Sequence, residues 1–200
     1  MSVQKANAKV EKKNQIIEAA VKVFAKKGFY LAKVSDVAKE AGVADGTIYL
    51  YFKNKDDLLI CLFEQKMEII LQRFKESLLN IADPVEKLHT FVDLYFTLIE
   101  EDKDLADVFQ VELRQSTKFL KDYHNEKFLE FLTVIESIIT EGMENGFFRT
   151  DINPNIVKIM IFGMVDEVAR QWILGADSKY AMDEAKENTK QVLTNGLIVF

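Results

Sequence analysis

The sequence predicts an all-α protein, because three features of its composition and patterning favour helices throughout. Apolar residues make up 48% of the 200 residues, and over long stretches they recur at the spacing of one helical face. Only two prolines and eight glycines interrupt these stretches. β-branched residues never form the alternating runs between turn residues that are typical of strands. We therefore expect about nine helices and no strand.

The first helix is predicted from about Lys9 to Lys27, behind a frayed arm of residues 1–8. Its inner face carries apolar residues at helical spacing, namely Ile16, Ile17, Ala20, Val21 and Phe24. Gly28 is expected to close this helix, since glycine readily takes the left-handed geometry found at helix ends.

A second helix and a short third one follow. The second carries one apolar face, formed by Val34, Val37, Ala38 and Ala41. Gly42 is expected to end it, and the third helix is predicted over residues 44–51. Helix, glycine turn and short helix form the helix-turn-helix arrangement, whose second helix enters the major groove of DNA.

The next helix is predicted to run without a break from Lys55 to about Leu79. Asn54 is its expected N-cap, and Asp57 stands at the third helical position, as in a capping box. Its length of about 25 residues spans roughly 37 Å, which is long enough to link two domains. We therefore predict a first domain at residues 1–54 and a second at residues 55–200.

Five further helices are predicted in the second domain, over residues 84–101, 104–116, 118–145, 154–174 and from about 181 to the terminus. Asp83-Pro84 and Asn153-Pro154 each place a capping side chain before the favoured first-position proline. Gly146 is expected to end the third of these helices. The helix over 154–174 is apolar nearly all round, and the last helix ends in the apolar stretch LTNGLIVF. We therefore expect these two helices to form a homodimer surface, in which Gly163 and Gly196 would let neighbours approach closely.

The stretch AGVADGTIYLYFKNKDDLL resembles the DNA-binding domain of the TetR family of transcriptional repressors, and the resemblance covers residues 9–60. It implies a repressor that binds a palindromic double-stranded operator. Members of the family usually carry Thr or Ser before the second helix as its N-cap, whereas Lys33 stands there in this chain, and Ser35 is expected to share the capping. The resemblance and the helix-turn-helix geometry together imply these DNA-contacting residues: Lys33, Ser35, Ala44, Asp45, Gly46, Thr47, Tyr49, Leu50, Tyr51, Lys53 and Lys55.

The charge of the chain is unevenly distributed, which agrees with binding to a polyanion. The net charge is −6, yet residues 1–60 hold eleven Lys against seven acidic residues. That part therefore carries +4 and the remainder −10. A basic head on an acidic body orients a molecule on DNA. The arm of residues 1–8, which contains Lys5, either contacts DNA or is a disordered terminus.

The second domain contains large and flexible apolar side chains that suit either an ordinary core or a tunnel for a long apolar ligand. Arg114 and Arg170 adjoin apolar helical faces, where each could clamp an anionic ligand or form an internal ion pair, for instance with Glu112 or Glu167. The predicted ligand-binding residues are Phe91, Tyr95, Phe109, Arg114, Phe128, Phe131, Leu132, Ile135, Met160, Met164 and Arg170.

Two tracts, residues 32–59 and VELRQSTKFLKDYHNEKFLEFL, are similar to the fatty-acid-degradation repressors of Gram-positive bacteria, a branch of the TetR family. This resemblance implies an inducer, long-chain acyl-CoA, that releases the repressor from DNA. Two alternatives stay open. One is a TetR-type regulator of a drug-efflux pump, and the other is a helical carrier of lipid or acyl-CoA with a vestigial DNA-binding domain.

Other functional classes find little support in the residues. The two histidines, His89 and His124, lack the partners of a metal site, and no nucleophile–base pair or phosphate loop is recognisable, so we expect neither a cofactor nor enzymatic activity. The lone Cys61 cannot form an internal disulfide and fits a reducing cytoplasm. The N-terminus has no apolar core of a secretion signal, and no stretch is long and apolar enough to cross a membrane.

Overall fold

The computed structural model describes residues 2–112, 126–175 and 180–198 of the chain. These residues form nine α-helices, and one π-helical segment, Val108–Glu112, follows the sixth. No strand occurs in these three ranges, so the all-α prediction is confirmed; a single bridge pairs Phe148 with Ile198. The helices are α1 Ser2–Lys27, α2 Val34–Glu40, α3 Asp45–Ile48, α4 Lys55–Leu78, α5 Pro84–Glu101, α6 Lys103–Asp107, α7 Glu126–Glu144, α8 Pro154–Leu174 and α9 Met182–Leu197.

The chain forms two compact units. The first comprises Met1–Lys66 and Asp104–His124, and the second comprises Met67–Lys103 and Asn125–Phe200. Helix α4 thus contributes its first turns to one unit and its later turns to the other. The domain boundary between residues 54 and 55 is a functional division and stays a prediction.

Helix α1 begins earlier than expected. Residues 2–8 are helical, which corrects the prediction of a frayed arm. The segment SVQKANA consists largely of residues with good or neutral helix propensity and contains neither glycine nor proline, so nothing in it stops the helix.

The core of the first unit is built from the apolar faces of α1, α2 and α3. Helix α1 packs on α2, and α2 packs on α3. Gly28 and Gly42 have φ angles of 77° and 62°, the left-handed values that glycine adopts at little cost, and they let α1 and α2 end where the sequence predicts. The fully buried side chains include Ile16, Ile17, Phe24, Val37, Ala38, Ile48, Phe52, Leu58 and Leu62.

Polar contacts join α1 to α4 within the first unit. The Lys66 Nζ lies 2.6 Å and 2.8 Å from the two carboxylate oxygens of Glu18, and Gln65 donates a 3.0 Å hydrogen bond to Asn14. The Phe63 ring lies 5.1 Å from that of Phe109 in the π-helical segment. Because Lys66 is nearly buried, its pairing with Glu18 satisfies a charge that would otherwise be costly.

The second unit is a bundle in which α7 packs on α8 and both pack on α5. The predicted caps are confirmed: Asp83 accepts hydrogen bonds from the amides of Val85 and Glu86, and Asn153 accepts one from Asn155. Gly146 ends α7 with a φ of 74°, also as predicted.

Helix α9 packs against α5 and α8 and carries charged side chains that reach α5. The Lys186 Nζ lies 2.9 Å from Glu100, and the Lys190 Nζ lies 3.0 Å from Asp93. The Nε2 atom of His89 is 2.8 Å from the Thr194 hydroxyl oxygen. These contacts keep one side of α9 on the bundle and leave its other side exposed.

Candidate DNA-binding head and ligand site

The turn between α2 and α3 has the geometry of a helix-turn-helix. At the end of helix α2, the Gly42 amide donates a 3.2 Å hydrogen bond to the Lys39 carbonyl oxygen, and the Val43 amide donates one of 2.9 Å to the Ala38 carbonyl oxygen. Helix α3 is a single helical turn. The residues that follow it form further turns, in which backbone amides donate hydrogen bonds to the carbonyl oxygens of Thr47 and Ile48. Ile48 and Phe52 are buried beneath α3, so its opposite side faces outward.

Most of the predicted DNA-contacting residues lie on this outward surface. Tyr49 is 58% exposed and Leu50 is 76% exposed, although both are large and partly or wholly apolar. Thr47, Tyr51 and Lys55 are half-buried. The other exposed members of the set are Lys33, Ser35, Ala44, Asp45, Gly46 and Lys53.

The start of α2 is capped differently from the expectation that Ser35 shares this task. Lys33 occupies the N-cap position without a side-chain cap, and its amide donates a 2.9 Å hydrogen bond to the Asp36 carboxylate. Lys27 reaches the same carboxylate at 2.7 Å. The hydrogen bond from Lys27, with that from the Lys33 amide, holds the pKa of Asp36 below its ordinary value. The Asp36 carboxylate thus supplies the N3 half of a capping box, while the Asp36 amide, which a hydroxyl would have bound, donates to the Lys33 carbonyl oxygen at 3.0 Å, and Ser35 stays exposed.

The start of α4 is capped as the sequence predicts. The Asp57 amide donates a 2.8 Å hydrogen bond to the Asn54 side-chain oxygen. In a capping box the Asp57 carboxylate would accept a hydrogen bond from the amide of the N-cap residue, Asn54. Here it accepts a 2.7 Å hydrogen bond from the amide of the preceding residue, Lys53. Lys55, in the first turn, directs its ammonium toward the loop between α1 and α2, where it meets backbone carbonyls.

An aromatic cluster forms the centre of the second unit and unites several predicted ligand-binding residues. The Phe91 ring lies 5.0 Å from that of Phe74 and 5.7 Å from that of Phe131. Tyr95 adjoins both Phe91 and Phe131, at 6.4 Å from each. Leu132 and Ile135 are buried on the same helix as Phe131.

The cluster extends to α8 and includes a buried polar pair. Phe162 lies 4.9 Å from Phe128 and 6.2 Å from Phe131. The Tyr95 hydroxyl donates a 3.0 Å hydrogen bond to the carboxylate of Asp166, which is buried. The pair therefore places a carboxylate and a phenol among aromatic rings, where each polar atom requires a partner.

The structure does not bring every predicted ligand residue into this aromatic cluster. Met160 is 64% exposed on the outer side of α8, and Met164 is half-buried. Phe109 belongs to the first unit, where it packs on Phe63. Arg170 forms a two-pronged pair with Glu167 at 2.5 Å and 2.8 Å, which is the internal ion pair considered above. Arg114 lies outside the described residues.

Three members of the aromatic cluster were not among the predicted site residues, namely Phe74, Phe162 and Asp166. Phe74 and Phe162 follow the helical period of α4 and α8, but that period alone cannot distinguish a site from a core. Asp166 carried a usable signal, because it is a charge on the same helical face as the apolar residues Phe162 and Ala169.

Comparison with known proteins identifies the family. The profile described as bacterial regulatory proteins of the tetR family matches residues 16–61, and that of the C-terminal region of YsiA-like proteins matches residues 63–196. The chain is 40% identical over 183 residues to the fatty acid metabolism regulator protein of Bacillus subtilis, covering 92% of this chain and 94% of that protein.

The chain belongs to the TetR family. It is therefore a DNA-binding transcriptional regulator, as the helix-turn-helix resemblance predicts. Its assignment to the fatty-acid-degradation branch is also confirmed by this identity.

Solved structures of this TetR branch share the fold. The regulator FadR from Bacillus subtilis, solved in complex with stearoyl-CoA, superposes with a TM-score of 0.85 at 41% identity, covering 91% of this chain and 97% of that one. The fatty acid degradation regulator FadR from Bacillus halodurans superposes with a TM-score of 0.86 at 40% identity, covering 92% of this chain and 95% of that one.

Two further features of this TetR-family chain concern metals and membranes. Within residues 2–112, 126–175 and 180–198, no group of three or more His, Cys, Asp or Glu side chains could hold a metal ion. No helix in the part of the chain that the structure describes has the length and apolar character needed to cross a membrane.

Proposed function

We propose that this protein is a dimeric cytoplasmic repressor of fatty-acid-degradation genes that leaves a palindromic operator when it binds long-chain acyl-CoA. The observation that carries the proposal is the 41% identity and TM-score of 0.85 to a regulator whose structure holds stearoyl-CoA. This similarity covers 91% of the chain, so it includes the ligand-binding part as well as the DNA-binding head.

The aromatic cluster is the proposed site for the acyl chain. Its rings come from four helices, with Phe74 on α4, Phe91 on α5, Phe131 on α7 and Phe162 on α8. An acyl chain inserted among these rings would be buried from water, and each buried methylene contributes ~0.8 kcal/mol. The Tyr95–Asp166 pair supplies a polar boundary to an otherwise apolar site.

The surface around α3 is the proposed operator contact. Lys33 and Lys53 are exposed cations suited to phosphates, and Tyr49 and Leu50 are exposed on the turns that follow α3. No Arg or Gln is present in residues 44–55 to read a base edge with two hydrogen bonds. We therefore expect specificity to depend on apolar contacts and on DNA shape as well as on hydrogen bonds.

The outer side of α8, continued by α9, is the proposed dimer surface. Four large apolar side chains of α8 are at least half exposed, and Val192 extends this apolar surface onto α9. Gly163 and Gly196 face open space in the single chain, where a second subunit could approach closely. The α8 residues are Ile156, Ile159, Met160 and Leu174. Apolar patches of this kind commonly mark protein–protein interfaces.

The proposed release mechanism passes through α4. Phe74, in its later turns, belongs to the aromatic cluster, and Lys55 begins the same continuous helix at the head. A ligand that separates Phe74 from Phe91 and Phe131 would tilt α4 and change the spacing of the two reading helices in the dimer. Ligand and operator would then lower each other's affinity by the same factor.

A titration of the repressor–DNA complex with acyl-CoAs of increasing chain length tests the proposal. The DNA is a duplex selected from random sequence by the protein itself, and release is followed by fluorescence anisotropy. We expect release by long-chain acyl-CoA and little by short-chain acyl-CoA. Release independent of chain length, or by a cationic dye alone, would instead support an efflux regulator.

A matched pair of variants on α7 locates the site. Leu132→Trp adds a large ring at a buried position next to Phe131 in the proposed site, so it should abolish the response to long-chain acyl-CoA while DNA affinity stays unchanged. Leu129→Trp, at an exposed position of the same helix, should respond normally. An unaltered response in Leu132→Trp would place the ligand elsewhere.

A further inference from the structure

The Lys55 ammonium donates hydrogen bonds to three backbone carbonyls of the loop between α1 and α2. Its Nζ lies 2.6 Å from the Phe29 oxygen, 3.2 Å from the Tyr30 oxygen and 2.9 Å from the Ala32 oxygen. A lysine ammonium has three hydrogens, so these three carbonyls account for all of its donors. The same nitrogen lies 4.5 Å from the centre of the Phe29 ring, a favourable cation–π distance.

The loop needs these donors because its chain does not continue either helix. Phe29 and Ala32 are buried, whereas Tyr30 is 58% exposed and Leu31 is 80% exposed. Backbone carbonyls that leave a helix and are withdrawn from water require other partners. Lys55 supplies such partners from 23 to 26 residues away in the sequence.

We propose that Lys55 is a positioning residue, which sets the start of α2 by holding this loop, and that its ammonium does not bind a DNA phosphate. Helix α2 begins at Val34, two residues after the last held carbonyl. Lys33 and Ser35, on the proposed DNA surface, flank that point. An ammonium could reach a phosphate only by giving up a loop carbonyl, which would displace the DNA-facing end of α2.

Lys53 provides the matched comparison two residues earlier. It is exposed, and its backbone amide bonds to Asp57. Among the described residues its ammonium has no carboxylate within ion-pair distance. Lys53 is therefore available for a phosphate contact at this end of α4.

The test compares Lys55→Met and Lys53→Met in the full-length protein, and it rests on the proposed DNA binding. Affinity is measured over a series of salt concentrations, for a duplex selected from random sequence and for a scrambled duplex of equal length. Losing one phosphate contact lowers the slope of log affinity against log salt by about 0.9. We expect this change in Lys53→Met, for both duplexes.

For Lys55→Met we expect an unchanged salt slope and a loss of about tenfold in affinity for the selected duplex, the scale of one charged hydrogen bond. Binding to the scrambled duplex should hardly change. Amide hydrogen exchange of residues 29–35 should become faster than in Lys53→Met. A slope lowered by about 0.9 with unaltered exchange would overturn the proposal.

Lys55→Arg decides the question should Lys55→Met fail to fold. Arginine keeps the charge, but its planar guanidinium cannot direct three hydrogens at one set of carbonyls as an ammonium does. A positioning role predicts lower affinity for the selected duplex at an unchanged slope, and a phosphate role predicts full affinity. An unsubstituted protein that selects no duplex would refute the proposed function, whereas the exchange measurement tests the role of Lys55 separately.

Discussion

At the scale of single residues, close packing decides which positions tolerate change. Gly142, inside α7, accepts the amides of Phe147 and Phe148 at 2.8 Å and 2.9 Å through its carbonyl oxygen. The ring of Phe148, itself buried, lies directly over the glycine. A Cβ added at Gly142 would lie 2.7 Å from the ring Cγ and closer still to two other ring atoms. Helix propensity favours alanine at this position, but the Phe148 ring leaves no room for its methyl group.

We predict that Gly142→Ala destabilises the protein. Overpacking costs ~1–3 kcal/mol, which exceeds the gain of about 1 kcal/mol that alanine offers over glycine in a helix. Urea unfolding at fixed protein concentration measures the effect. Gly46→Ala is the control, because a Cβ there meets nothing within 4 Å and should leave the midpoint unchanged or raise it. Equal midpoints for both variants would show that Phe148 moves aside freely.

At the scale of helices, local capping determines where several elements begin. Asp83 accepts two amides of the first turn of α5, and Asn153 and Asn54 act in the same way for α8 and α4. Each cap satisfies amides that have no partner within the helix. These starts therefore depend on a few neighbouring residues and little on the rest of the fold.

Asp83→Ala should lower the free energy of unfolding by ~1 kcal/mol, because two amides of α5 lose their acceptor. Asp83→Asn should restore most of this loss, since asparagine caps helices about as well as aspartate. Thermal unfolding followed by circular dichroism distinguishes the two variants. A loss in Asp83→Asn as large as in Asp83→Ala would assign the effect to charge instead of capping.

At the scale of the whole molecule, assembly depends on the outer faces of α8 and α9. Ile156, Ile159 and Met160 are exposed although the bundle offers α8 contacts with α5, α7 and α9. A helix with more than one apolar face needs more than one partner surface. Among the described residues no second partner surface covers these three side chains, which is why we propose a second copy.

Gly163→Phe should give monomers that no longer bind the selected duplex, because a large side chain would stand where the proposed subunits meet. Sedimentation equilibrium measures the oligomeric state, and circular dichroism verifies that the helices remain. Ser137→Phe, at an exposed position of α7, is the control and should stay dimeric. A dimeric Gly163→Phe would move the interface to another surface.

The sequence alone determined the features that depend on near neighbours. The nine helices of the described residues, the caps at Asn54, Asp83 and Asn153, and the helix ends at glycines with positive φ follow from residues within about four positions of each feature. The helix-turn-helix and its family were recognisable for the same reason, since the pattern that reads DNA is compact and contiguous.

Only the tertiary structure decided which distant groups meet. Lys55 holds a loop 23 to 26 residues away, and Tyr95 meets Asp166 across 71 residues. The periodicity of apolar residues cannot predict such pairs, because it shows which side of one helix is buried and not which residues of other helices lie against that side. Met160 illustrates the same limit: on a helix that is apolar nearly all round, the pattern does not indicate which face the bundle covers. Which groups contact one another is thus a property of packing. It gives Lys53 and Lys55, which look alike in the sequence, different surroundings: Lys53 is exposed, and Lys55 binds the carbonyls of a loop.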